Sequence, residues 1–204
     1  MISLAHITLE AEDPAAALRF YRAAFALDSR IRTRATEEPT TGFRGYTLSL
    51  TVAQPATVRS LIGAAIDAGA TPVKPAAKSF WGYGGVVRAP DGALWKVASS
   101  AKKDKGPDTG KIDQFVVLLG VEDMVASKQF YIGRGFTVGK SYGRKYVEFT
   151  TPASAVKLAL YPRRALAKDA GVPPEDTGSH RLVIGGGSDS FTDPDGFAWE
   201  TAAQ

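Results

Sequence analysis

The 204-residue sequence has no cysteine and only two histidines. Without cysteine there are no disulfides, no thiolate metal sites and no cysteine nucleophile. Any imidazole chemistry must draw on His6 and His180. No apolar run nears the roughly 18 residues that a membrane helix needs. The opening Met1-Ile2-Ser3-Leu4-Ala5-His6 lacks the basic-then-apolar pattern of a secretory signal. The expectation is a cytoplasmic protein with no membrane partner. Charge of one sign is also scarce: 25 Lys and Arg face 21 Asp and Glu, for a net charge of +4. The densest basic stretch, Ala101–Asp108, alternates signs and holds Gly and Pro, so it reads as a solvated linker. No basic stripe of the kind a nucleic-acid surface needs is present. The 21 Gly and 12 Pro show no period, which excludes a fibrous chain. With 44% hydrophobic and 23% charged residues the composition is that of a globular protein, not a disordered one. The length exceeds one small domain and falls short of two large ones.

The chain repeats itself. His6-Ile-Thr-Leu-Glu-Ala-Glu-Asp13 precedes a helical stretch carrying Phe20-Tyr21, and Val116-Val-Leu-Leu-Gly-Val-Glu-Asp123 precedes one carrying Phe130-Tyr131, at matching spacings. Ala89-Pro-Asp-Gly-Ala-Leu-Trp-Lys96 is mirrored by Asp193-Pro-Asp-Gly-Phe-Ala-Trp-Glu200. A period this long marks a duplicated structural unit. We place one domain at 1–100, a linker at 101–111 and a second domain at 112–204.

Each half opens with a strand and then a helix. Asp13 and Asp123 are natural N-caps, and Pro14 suits the first helical position. Phe20 and Tyr21 pack the first helix on the sheet. A second helix is predicted over about 55–68, with Val58, Leu61, Ile62, Ala65 and Ile66 at helical spacing and Gly69 as its stop. Short strands such as 84–88 follow, and each half closes with a Pro-Asp-Gly turn feeding a final strand. Lys140–Tyr146 reads as a hairpin with a glycine turn. Arg163, Arg164 and Lys168 are assigned to the solvent side of a short helix. The first half lacks strands after its first helix. The second half lacks the crossover helix of its last unit, replaced by Gly185-Gly-Gly-Ser-Asp-Ser190.

These motifs, namely His6-x-x-Leu before Asp13 and the Phe-Tyr helix, Gly178-Ser-His180-Arg-Leu-Val-Ile, and Asp193-Pro-Asp-Gly-x-x-Trp-Glu200, resemble the vicinal oxygen chelate superfamily. That group includes glyoxalase I, bleomycin-resistance proteins, fosfomycin-modifying transferases and extradiol dioxygenases. The resemblance implies an α+β fold of two tandem glyoxalase-like domains. These would be built from paired βαβββ units, some truncated, as mixed curved half-barrel sheets with helices outside. It also implies one cross-domain metal site: His6 from the first opening strand, His180 from a middle strand of the second half and Glu200 from its closing strand. Such a set would hold one divalent ion (Zn, Ni, Mn or Fe(II)) with open positions for two substrate oxygens. The complementary cleft would use Val116, roughly Thr47 and Lys96, and would be dead.

Each residue also has a plainer reading: a structural histidine, a surface carboxylate, a strand start. Lys96 is a salt-bridge lysine or a contact for an anionic ligand. Trp81, Tyr83 and Trp95, near glycine turns, are sheet packing or the lining of a cleft for a flat ligand. The Gly-rich 185–187 is no phosphate loop. No general base is identifiable; Tyr142, Tyr146 and Lys96 are candidates. Glyoxalase I proper is disfavoured by the single closing Glu. Extradiol cleavage is disfavoured by the missing third His, and fosfomycin-type transfer by substrate-binding residues that find no counterpart here. Two readings lead: a metal-dependent enzyme of lyase or isomerase type on a small oxygenated substrate, and a metal-free protein that sequesters a drug-like ligand. A degenerate scaffold is third. A tandem fusion makes a monomer sufficient, and a homodimer stays compatible.

Overall fold

The computed structural model describes residues 4–27, 29–152, 154–187 and 189–201. Met1–Ser3 and Ser188, which the sequence reading touches, lie outside them. Four units follow one another. The first is β1 (Leu4–Ala11), α1 (Pro14–Phe25), β2 (Ile31–Ala35) and a short β3 (Thr40–Gly42). The second is a complete βαβββ: β4 (Tyr46–Val52), α2 (Pro55–Asp67), β5 (Thr71–Ser79), β6 (Gly82–Arg88) and β7 (Leu94–Ser99). The third is also complete: β8 (Ile112–Val121), α3 (Met124–Gly133), β9 (Thr137–Ser141), β10 (Val147–Thr150) and β11 (Lys157–Pro162). An added helix α4 (Arg163–Ala170) and β12 (Asp176–Gly178) lead to the last unit, β13 (Leu182–Gly186), β14 (Phe191–Thr192) and β15 (Ala198–Glu200), which has no helix among the described residues. The last unit lacks its helix where the sequence places the gap, whereas the first unit, expected to lack strands after its helix, keeps β2 and the short β3.

Local chemistry explains the helix starts. The Asp13 side chain accepts from the amide of Ala16 at 2.8 Å. Asp123 accepts from the amides of Val125 and Ala126. Each satisfies donors that the first turn leaves without helical partners. The second helix ends at Asp67, and Gly69 follows with φ +110°, a backbone state that suits glycine.

The sheets cross the midpoint of the chain. One runs β14-β15-β13-β1-β2, the other β5-β6-β7-β4-β8-β11-β10-β9. The first unit thus pairs with the fourth, and the second with the third. At the centre of each sheet two unit-opening strands run antiparallel, β1 with β13 and β4 with β8. Closing strands flank them in parallel: β15 beside β13, β7 beside β4 and β11 beside β8. Beside β1 the place is taken by β2, the unit's later strand β3 pairing with β12 instead. A small ladder of β3 and β12 stands apart.

Side chains alternate across these strands. Leu48, Leu50, Trp95, Val97, Phe115, Val117 and Leu119 share one core with α1 and α2 residues such as Tyr21, Phe25, Val58 and Leu61. The alternate residues, among them Val86, Leu94 and Leu118, face the other way. There α4 covers part of the sheet with Leu166, Ala167 and Ala170. Arg163 is not on the solvent side of α4 as expected. It is 12% exposed, pairs with Asp176 at 2.6 Å and donates to the carbonyl of Phe43. Arg164 and Lys168 are exposed. Among the described residues, no helix is long and apolar enough to cross a membrane.

Candidate functional site

On the five-stranded sheet, three positions form one row. His6 pairs with Gly185 on β13, and Gly185 pairs with Glu200 on β15. The imidazole lies across Gly185, where any Cβ would collide with its ring. His6 is 2% exposed, and its Nε2 has no hydrogen-bond partner among the described residues. The nearest carboxylate oxygen, Glu200 Oε1, is 3.6 Å away, too long for a hydrogen bond. Burial, and secondarily Arg32, lower the His6 pKa from its ordinary value and favour the neutral ring. Glu200 Oε1 accepts from Thr8 Oγ1 at 3.2 Å, and its Oε2 from Arg34 at 3.3 Å. The same guanidinium grips Glu10 through Nε and Nη2 at 3.1 and 2.8 Å. The Arg34 guanidinium, itself about half exposed, bridges the two carboxylates.

His180 is elsewhere. It precedes β13, and in an extended strand the five steps to Gly185 span on the order of 15 Å. Its Nδ1 lies 2.7 Å from the carbonyl oxygen of Arg44 and its Nε2 3.0 Å from that of Asp195. Its ring stacks on Phe197 with centroids 4.1 Å apart. Both nitrogens lie within hydrogen-bond distance of backbone oxygens, which leaves neither open to a metal. The residue across from His6 is Gly185, which has no side chain to donate. The expected set His6, His180 and Glu200 is thus not assembled: two members meet and the third does not. Among the described residues, no group of three or more His, Asp or Glu is placed to hold a metal. The donor set does not fit the divalent ion that the resemblance implies.

The eight-stranded sheet carries the corresponding row. Ser49 pairs with Val116 and with Lys96, and Val116 pairs with Lys157. The expected partner Thr47 is corrected to Ser49, two residues on, because β4 meets β8 in that register. Lys157 is a position the sequence reading missed. Both closing-strand places of this row hold lysine. The row continues outward through Val86 to Lys74.

Beside α4 this face stays open as a cavity of about 360 Å³, walled by Lys74, Lys78, Trp81, Tyr83, Lys96 and Asp169. Its floor includes Gly84 and Ala98, which are small. Lys96 Nζ meets Asp169 Oδ2 at 2.5 Å, and Lys74 Nζ donates to the Asp169 carbonyl at 2.8 Å. Trp81 is 83% exposed at the tip of the β5–β6 hairpin, its ring edge-on to Phe80. Tyr83 contributes wall, but Arg59 lies over its ring and its hydroxyl donates to the carbonyl of Ala76. Trp95 does not line the cavity. It is fully buried, stacked on Phe115 and packed against Tyr21 and Phe25. Among the base candidates, Tyr142 is exposed, and the Tyr146 hydroxyl donates to Glu148 at 2.8 Å. Burial raises the Tyr146 pKa above the ordinary phenol value, so the hydroxyl keeps its proton. The lysines of β5 and the α4 carboxylate carried no signal in sequence, because only the fold brings them to Lys96.

No family model matches the sequence, and no curated protein does. Solved structures do. Glyoxalase I from Zea mays superposes with a TM-score of 0.63 at 13% identity, over 98% of this chain and 92% of that one. A Bacillus subtilis protein with a provisional dioxygenase assignment gives 0.61 at 10% identity, over 98% and 84%. At such identities the likeness speaks for the fold alone, and the fold is that of the vicinal oxygen chelate proteins. It is α+β, with two tandem glyoxalase-like halves made of βαβββ units, two of them trimmed.

Proposed function

We propose that this chain is a metal-independent small-molecule-binding protein whose ligand enters the cavity of the eight-stranded sheet. The supporting observation is the cavity itself: a cleft of about 360 Å³ with the exposed Trp81 at its rim and Lys96 and Lys74 on its wall. A flat ring laid on Trp81 gains apolar burial that the free protein lacks. The metal-dependent reading is disfavoured by the positions of residues: Gly185, not His180, stands beside His6, and both His180 nitrogens face carbonyls.

Three tryptophans make the test direct. Trp95 and Trp199 are buried, at 0% and 3% exposure, so a neutral quencher such as acrylamide reports mainly Trp81. A planar aromatic probe, N-phenyl-1-naphthylamine, should shield Trp81 from acrylamide, and the shielding should vanish in Trp81→Phe. No shielding by this or by its sulfonated analogue overturns the reading.

A further inference from the structure

Asp169 stands on α4 where its carboxylate can neutralise Lys96, and this arrangement has an odd cost. Asp169 lies in the last turn of α4, which spans Arg163–Ala170. The carbonyl end of a helix disfavours an anion. The residue nevertheless holds both cleft lysines, Lys96 through its carboxylate and Lys74 through its backbone oxygen. The Lys74 stem runs against Gly171, the left-handed residue that ends α4. Both members of the Lys96–Asp169 pair are about a third exposed, at 30% and 39%. Ion pairs so open to water are weak and exchangeable. Each ammonium has three donors, and Asp169 occupies one on each. Among the described residues, no other carboxylate lines the cavity.

Resting on the binding reading above, we propose that the ligand of this cleft is an anion on a planar aromatic body, a carboxylate or sulfonate, recognised by Lys96 and Lys74. The Asp169 carboxylate is the protein's own stand-in for that anion. The ligand displaces it from Lys96 and lays its ring toward Trp81. Removing the stand-in therefore strengthens anion binding, whereas removing Lys96 abolishes the discrimination.

The test compares two dyes of similar fused-ring shape, the anionic 8-anilino-1-naphthalenesulfonate and the neutral N-phenyl-1-naphthylamine, titrated into the full chain with Trp81 shielding as the readout of site. Asp169→Asn should tighten the sulfonate about 3- to 10-fold and change the neutral dye by less than about 2-fold, the scale of one charge contact. Lys96→Met should weaken the sulfonate about 10-fold and spare the neutral dye, while Lys96→Arg keeps sulfonate binding. In the Lys96→Met, Asp169→Asn double variant the gain should disappear. Equal changes for both dyes, or no gain in Asp169→Asn, overturn the anion inference and leave the cleft reading standing. Failure of both dyes to shield Trp81 in the wild type overturns the two together.

Discussion

The Tyr131 hydroxyl donates to Asp193 Oδ2 at 2.7 Å inside the core, tying the third unit's helix to the turn before the last strand. Its repeat partner is Tyr21, which donates to Asp91 Oδ2 at 2.5 Å. The two halves use different carboxylates for the same purpose. Asp91 follows the turn proline, whereas Asp193 precedes it. Asp195, the true counterpart of Asp91, instead accepts from Ser127 Oγ at 2.6 Å. Tyr131→Phe leaves a 5% exposed carboxylate short of a donor. It should cost about 1–3 kcal/mol in urea unfolding.

The same carboxylate makes stability depend on acid. Burial raises the Asp193 pKa above 3.8 in the folded chain. The folded state then holds its proton more tightly than the unfolded one, so stability falls as pH rises from 3.8 through the raised value. Relative to Asp193→Asn, the wild type should lose stability across that window and stay level above it. Parallel urea titrations of the two proteins that show no such divergence refute the assignment.

His6 has the opposite sign. Its folded pKa lies below 6.5, so the unfolded chain takes up a proton first as the solution is acidified. Its contribution is complete above 6.5 and is lost as pH falls through the window beneath. Chemical denaturation of wild type and His6→Gln at pH values on either side of 6.5 should show a steeper acid loss in the wild type.

Gly185→Ala drives a methyl group into the His6 ring, on rigid backbone. A cost of about 1–3 kcal/mol is expected, typical of overpacking. His6→Ala should rescue much of it, giving a favourable coupling in the double-variant cycle. Additive losses would mean that ring and glycine do not meet.

Metal analysis checks the reading of the His6 row. Protein purified without chelator or a His tag should carry well below one divalent ion per chain, and EDTA dialysis should leave its thermal midpoint unchanged. One equivalent of metal that disappears in a His6→Ala, Glu200→Ala variant would restore the site that the resemblance implies. Arg34 would then have to leave Glu200.

Much of the architecture could be read from residues, because it rests on local signals. Asp13 and Asp123 cap helices through their own side chains, Gly69 ends one through its own φ, and the spaced Pro-Asp-Gly-x-x-Trp endings betray the duplication. The gap in the last unit follows from length alone. The candidate site was less legible. Of the residues the sequence suggests for a cleft, Trp81, Tyr83 and Lys96 line this cavity and Trp95 does not; Lys74, Lys78 and Asp169 come from separate elements with no shared motif to suggest them. His180 was misplaced for a related reason. Its motif position is correct in sequence, but strand register is set by pairing across the sheet, and β13 meets β1 at Gly185.

Chain chemistry thus settled where the helices capped by Asp13 and Asp123 start, where the helix before Gly69 ends, and that one plan occurs twice. Long-range pairing settled which rows of side chains face one another. A one-residue step turns a strand side chain to the other face and a two-residue step moves it to the next row. Hence Ser49 rather than Thr47 stands between Lys96 and Val116, and a glycine rather than a histidine stands beside His6.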